Sequence, residues 1–137
     1  MKKNYVLNCD YDYSFVVLAI NSHSKVYKLC WSLNKHLGLS FEKTNNHKIN
    51  EKLIVTRYKS KKKDGTVLNL LVNQSKKGYM IPSQKTVNYF LIINKDNWKK
   101  EKHEFLSKLR KINDILLVFE LGSEQNRDRF IIYDKKN

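Results

Sequence analysis

Two short, uninterrupted apolar runs constrain the fold of this chain more than any other feature. Ser14 to Ile20 reads Ser-Phe-Val-Val-Leu-Ala-Ile, and Val87 to Ile93 reads Val-Asn-Tyr-Phe-Leu-Ile-Ile. Both are rich in β-branched and aromatic residues and are short, so each reads as a strand covered on both faces. Each is followed by a segment of helical periodicity. After the first, Val26, Leu29, Cys30, Leu33 and Leu37 recur at spacings of three and four, and Tyr27 and Trp31 widen that face. Asn21-Ser22 offers an N-cap and Gly38 a left-handed stop, which predicts a helix over 22–37. After the second, Asp96 or Asn97 caps a helix whose buried stripe is Trp98, Phe105, Leu106, Leu109 and Ile112. Lys99, Lys100, Lys102, Lys108 and Lys111 fall on its solvated side.

Shorter elements fill the rest. Leu39 to Thr44 reads as a short strand. Leu53 to Lys59 and Thr66 to Asn73 are strand-like, and Lys63-Asp64-Gly65-Thr66 joins them as a hairpin. A strict two-residue turn would place Lys59 opposite Leu70 and Lys61 opposite Leu68, mixing charge with apolar side chains on one face. A longer loop or a bulge shifts the register by one and separates them. Lys76-Lys77-Gly78 reads as a second turn, with Tyr79 to Ile81 a short strand ended by Pro82. Ile115 to Leu121 and Arg129 to Tyr133 read as two closing strands around a polar loop. Phe15–Phe41 and Tyr89–Phe119 share one layout, a weak duplication of a βαβ unit with the basic hairpin inserted between the copies. The expected fold is α+β, one domain over residues 1–137, with two helices on one face of a mixed, mostly antiparallel sheet.

Composition bounds the function class. The chain has 137 residues, enough to bury about two-thirds of its extended surface without staples. No apolar stretch reaches the ~20 residues of a membrane helix, and the start is too polar for a signal peptide. A cytoplasmic protein is therefore expected. Cys9 and Cys30 stand far apart, with no Cys-x-x-Cys and no zinc spacing, so they read as buried thiols. The net charge is +14, and residues 41–95 carry most of it: eleven Lys and Arg57 against Glu42, Glu51 and Asp64. Such a surface suits nucleic acid or an acidic partner. Yet 23 of the 27 basic residues are Lys, and 15 residues are Asn. AT-rich codons alone enrich both, and readers of nucleic acid favour Arg, so the charge does not assign a function.

Residues 81–91 read Ile-Pro-Ser-Gln-Lys-Thr-Val-Asn-Tyr-Phe-Leu. This resembles the signature of the IPExxxVDY family of uncharacterised bacterial proteins, matching at Ile81, Pro82, Val87 and Tyr89 with the spacing intact. Asp10-Tyr11-Asp12-Tyr13, Tyr27-Lys28-Leu29 and Leu33-Asn34-Lys35-His36-Leu37-Gly38 also look like that family, so the resemblance covers most of the chain. It implies no activity, because the family has none established. The family's Glu stands here as Ser83 and its Asp as Asn88. Both keep hydrogen-bonding capacity and lose the titrating carboxyl, so an acid/base pair or a divalent-metal site does not survive the exchange. The signature therefore reads as structural, with Val87 and Tyr89 on one face of the inner strand. The functional reading would make this loop a contact surface for a partner.

Other candidates are weaker. His23, His36, His47 and His103 are scattered, with no helical i, i+4 pair for a metal. Asp10 and Asp12 read as a solvated entry loop. No phosphate loop, nucleophile elbow or Cys–His pairing is visible, so neither a cofactor nor a catalytic residue is expected. Arg57, Tyr58, Lys59, Lys61, Lys62 and Lys63 interleave an aromatic with positive charge, and Lys76 and Lys77 would extend the surface. The expected function is a non-catalytic cytoplasmic module that binds a protein or a second copy of itself. An RNA- or ribosome-associated protein using residues 57–63 is the alternative, and a small enzyme the third class.

Overall fold

A computed structural model describes residues 15–94, 98–122 and 127–132. Cys9, the Asp10–Tyr13 stretch, the Asp96/Asn97 cap and Tyr133 lie outside them. In chain order the strands are β1 (Phe15–Asn21), β2 (Glu42–Lys43), β3 (His47–Lys48), β4 (Ile54–Val55), β5 (Arg57–Lys61), β6 (Val67–Val72), β7 (Gln74–Ser75), β8 (Gly78–Tyr79), β9 (Tyr89–Asn94) and β10 (Leu117–Glu120). The helices are α1 (Val26–Leu37) and α2 (Trp98–Arg110). Six strands form the main sheet in the order β10-β1-β9-β6-β5-β2, and every pair is antiparallel. The two doubly apolar runs are neighbours inside it, β1 against β9 from Phe15–Asn94 to Ile20–Tyr89. The fold is α+β, as the sequence predicts.

Both faces of the sheet are covered, by different means. On one face, Leu18, Ile20, Leu68, Leu70, Tyr89, Leu91 and Ile93 pack under Leu29, Cys30 and Leu33 of α1 and Leu106 and Leu109 of α2. On the other, Phe15, Val17, Ala19, Leu71, Phe90 and Ile92 meet Val55, Met80, Ile81, Val87 and Phe130. That second cover is built from two-stranded ribbons, β3–β4 and β7–β8, and from short turns. Phe90 and Phe130 meet edge to face at 5.2 Å.

The path of the chain around β1 takes a specific form. Since β9 and β10 both run antiparallel to β1, they run the same way on either side of it, and α2 makes the crossover. The order β10-β1-β9-β6 with two helices on one face is that of a split βαβ plait. From α1 the chain passes to β2 at the far edge, so β5 and β6 lie between β2 and β9 in space as well as in sequence.

The hairpin takes the shifted register. Lys59 faces Asn69, Ser60 faces Leu68 and Tyr58 faces Leu70. The Gly65 N–H donates to Lys62 O, the Lys62 N–H donates to Thr66 O, and Gly65 has φ of 94°. A three-residue loop with a left-handed glycine supplies the extra residue. Asp64 Oδ1 accepts from the Thr66 N–H at 2.9 Å and braces it.

Several expectations change. α1 begins at Val26, not Ser22, because Ser22 and Ser24 bond elsewhere; Lys25 stands at the N-cap without a side-chain bond. Tyr27 and Trp31 do not widen the buried face but project outward, 65% and 59% exposed. Gly38 does end the helix, with φ of 66°. The strand expected over 39–44 shrinks to Glu42–Lys43, and the one over 79–81 to Gly78–Tyr79. Pro82 opens a 3₁₀ turn, Pro82–Gln84, where its missing N–H costs nothing. Val87 precedes β9 and packs on the face opposite Tyr89, because the turn before it breaks the strand alternation. The start of the expected last strand is a 3₁₀ turn, Arg127–Phe130. There Phe130 enters the second core while Arg129 donates from Nη1 to Met80 O.

A sheet buried on both sides has no tolerant face. Leu91→Ala and Phe90→Ala, which empty opposite cores, should each lower unfolding free energy by about 2–5 kcal/mol in denaturant titration. A sheet wet on one side would show the loss at only one of the two.

Candidate functional site

The signature loop is held by a residue that the motif does not contain. Asn73, at the end of β6, is buried. Its Nδ2 donates to Gln84 O at 2.9 Å and to Val87 O at 2.8 Å, and its Oδ1 accepts from the Ile81 N–H at 3.0 Å. Its backbone N–H donates to Asn88 O and its carbonyl accepts from the Met80 N–H. One carboxamide thus saturates the inward polar groups of a turn that has no strand partner, which a buried turn requires. Nothing in the sequence marks this asparagine among the chain's others; only its place beside the apolar end of a strand could have hinted at it.

The signature positions then sort by what they touch. Ile81 and Val87 fill the second core. Pro82 and Ser83 are exposed on the turn. Asn88 lies at the surface, but its Oδ1 accepts from the Ser22 N–H at 2.8 Å, and its own N–H donates to Ile20 O. The Tyr89 hydroxyl donates to Ser24 O, and burial raises its pKa. Asn88 and Tyr89 therefore pin the corner between β1 and α1. Ser24 continues the chain of bonds: its hydroxyl donates to Asp114 Oδ2, and the Ser32 hydroxyl donates to Asp114 Oδ1 at 2.6 Å. These two bonds hold the Asp114 carboxyl below its ordinary range, with Lys28 at 3.9 Å helping and burial opposing. The structure thus gives the signature a scaffolding geometry; Ser83 and Asn88 do not converge on a common point.

The basic stretch does not form one surface. Arg57 is buried; its Nε donates to Asn69 Oδ1 at 2.8 Å and its Nη1 to Asn45 O. Tyr58 packs half-buried against the helix-side core, while Lys59 points to the opposite face. Lys61, Lys62 and Lys63 are exposed at the hairpin tip. Lys76 and Lys77 line an open groove of about 700 Å³ with Glu51, Lys52, Ile54 and Gln74. That groove is at the other end of the hairpin, roughly 20 Å away by strand rise. The eight residues proposed as one contact surface are a buried arginine, a half-buried tyrosine, a half-buried lysine on the opposite face and two separate lysine clusters.

Titratable groups inside the protein are structural. Cys30 is buried, and burial pushes its thiol up to about 12, which makes it a small hydrophobe. His47 is the buried histidine; His23, His36 and His103 are exposed. Its Nε2 lies 2.7 Å from Arg129 O, and burial, aided by nearby Arg57, lowers its pKa. No group of three His, Cys, Asp or Glu able to hold a metal occurs among the described residues.

What sequence reasoning missed is the outer face of α1. Tyr27 and Trp31 stand one turn apart on it, and the Lys35 ammonium sits 4.9 Å over the Trp31 ring. Lys28 is exposed on the same helix, and Lys25 is exposed at its N-cap. The signal was present: both aromatics lie about 120–160° around the helix from Leu33, outside the stripe of spacing three and four.

Three outcomes follow. Asn73→Ala, which leaves the buried Ile81 N–H and Val87 O without this partner, should cost about 3 kcal/mol or more. Asn88→Asp should be close to neutral, since a carboxylate accepts from Ser22 N–H as well, whereas Asn88→Ala should cost about 1 kcal/mol. His47 carries a folded-state pKa below its ordinary 6.5, so the unfolded chain binds the extra proton. Its contribution to stability is complete above that value and falls as pH drops below 6.5, a slope that His47→Gln should remove from denaturation midpoints measured between pH 5 and 8.

Compared with known proteins, the chain matches no family model and no curated sequence.

Proposed function

We propose that this is a non-catalytic, cytoplasmic protein-binding module whose contact surface is the outer face of α1. The observation that carries the reading is the pair Tyr27 and Trp31, both more than half exposed on a helix whose inner face is fully engaged. Large aromatics are the residues most enriched at the centre of protein interfaces, and leaving two of them in water serves no folding purpose. The helix beneath is stiffly mounted. Asp114 ties Ser24 and Ser32, Tyr89 ties the segment leading in, and Leu29 and Leu33 are fully buried. Such mounting lets a face bind with little ordering cost.

The likeness to IPExxxVDY proteins enters the same reading. Its signature residues are spent on the turn and corner that orient α1, which fits a family defined by scaffolding positions. Cytoplasmic placement is supported by the buried free thiol of Cys30 and by the lack of any helix among the described residues long and apolar enough to cross a membrane. The nucleic-acid alternative loses support from the separation of Lys61–Lys63 from Lys76 and Lys77 and from the burial of Arg57.

The test is site-specific photo-cross-linking in nuclease-treated native lysate, with the reactive group at position 31 or at exposed Lys99 on α2. Discrete protein adducts at 31, absent at 99, are the expected outcome. Adducts that vanish with nuclease, or equal labelling at both positions, would refute the reading.

A further inference from the structure

The outer face of α1 is not only aromatic; the segment that carries it is basic. From Ser22 to Phe41 the sequence holds Lys25, Lys28, Lys35, His23 and His36 and no carboxylate. Asp114 is bonded by two hydroxyls and stands 3.9 Å from Lys28. We infer that this face binds an acidic peptide segment carrying an apolar anchor, with Tyr27 and Trp31 receiving the anchor and Lys25, Lys28 and Lys35 pairing its carboxylates. This rests on the protein-binding reading above and names its partner's chemistry.

Three observations choose this occupant. First, Lys35 lies over one face of the Trp31 indole. An incoming carboxylate can pair with that ammonium where it stands, while the free indole face and edge lose water against an apolar side chain. A charge pair beside a desolvated aromatic is the arrangement that gives both steering and hold. Second, base stacking is the main non-ionic contribution in single-strand binding, and Lys35 leaves only one face of the Trp31 ring for it. Three lysines would neutralise only about three phosphates, which is weak by that route. Third, the chain carries +14, so a second copy brings like charge to a face that is already basic. The same charge that attracts an acidic segment disfavours self-association here.

The probes are three fluorescein-labelled 15-mers: a peptide of glutamates flanking a Phe-Leu pair, its counterpart with glutamine for every glutamate, and oligouridylate. They are titrated against the full chain by anisotropy, with tryptophan emission as a second readout, since Trp31 is exposed and Trp98 buried. The acidic peptide should bind with a Kd on the order of 10–100 μM at low salt and weaken about tenfold on raising salt to 0.3 M. The glutamine peptide should bind at least about tenfold more weakly. Trp31→Ser and the triple change Lys25→Gln, Lys28→Gln, Lys35→Gln should each abolish the tryptophan response or binding, with melting temperatures near wild type as the control for folding. Equal affinity for the glutamine peptide, or tighter binding of oligouridylate, overturns the inference. Either result leaves cross-linking at position 31 to stand or fall by itself, so the two readings fail separately.

Discussion

The structure depends on a sheet whose two inner strands have no face that tolerates water. β1 and β9 are apolar at nearly every position, and both are buried along almost their whole length. Burial at roughly 25 cal/mol per Å² drives such strands together, but only if both sides are roofed. One roof is ordinary: two amphipathic helices with their leucines inward. The other has no α-helix among the described residues. It is made of ribbons two residues long and of turns, which bring apolar side chains at the cost of carrying backbone polar groups into a dry layer.

That cost explains the buried polar residues of the second face. Asn73 bonds the carbonyls and N–H groups of the 81–88 turn, Arg57 and Asn69 bond each other, and His47 bonds the carbonyl of Arg129. Asn73 and His47 satisfy main chain beyond the ladders, and Arg57 and Asn69 satisfy each other on the sheet itself. The signature belongs to this economy of hydrogen bonds. Its apolar members fill the layer, its proline starts the turn, and Asn88 and Tyr89 carry the constraint across to the corner of α1. Ser83 and Asn88 suit these places without charge, since one is an exposed turn position and the other accepts a single hydrogen bond.

The same chain of contacts links scaffold to surface. β9 fixes Asn88 and Tyr89, these fix residues 22–24, and Asp114 after α2 clamps both Ser24 and Ser32. α1 is therefore held at its start, in its middle and along its inner face. The aromatic and basic side chains on its outer side stand on a rigid support, which is where a binding surface loses least entropy on engagement.

The sequence by itself determined the two inner strands, the helices behind them, the glycine that ends α1 and the existence of the basic hairpin, while its register was settled by the structure. Each of these follows from local periodicity or turn geometry, which neighbours in the chain impose on one another. It also showed that Ser83 and Asn88 could not serve as acid and base. Only the tertiary structure decided that Val87 and Tyr89 face opposite cores, that Arg57 is buried while Tyr27 and Trp31 are not, and that Lys63 and Lys76 lie at opposite ends of a hairpin. Those outcomes depend on which segment roofs which face, a matter of contacts between residues far apart in sequence. A string of residue types holds no record of that until the sheet is assembled.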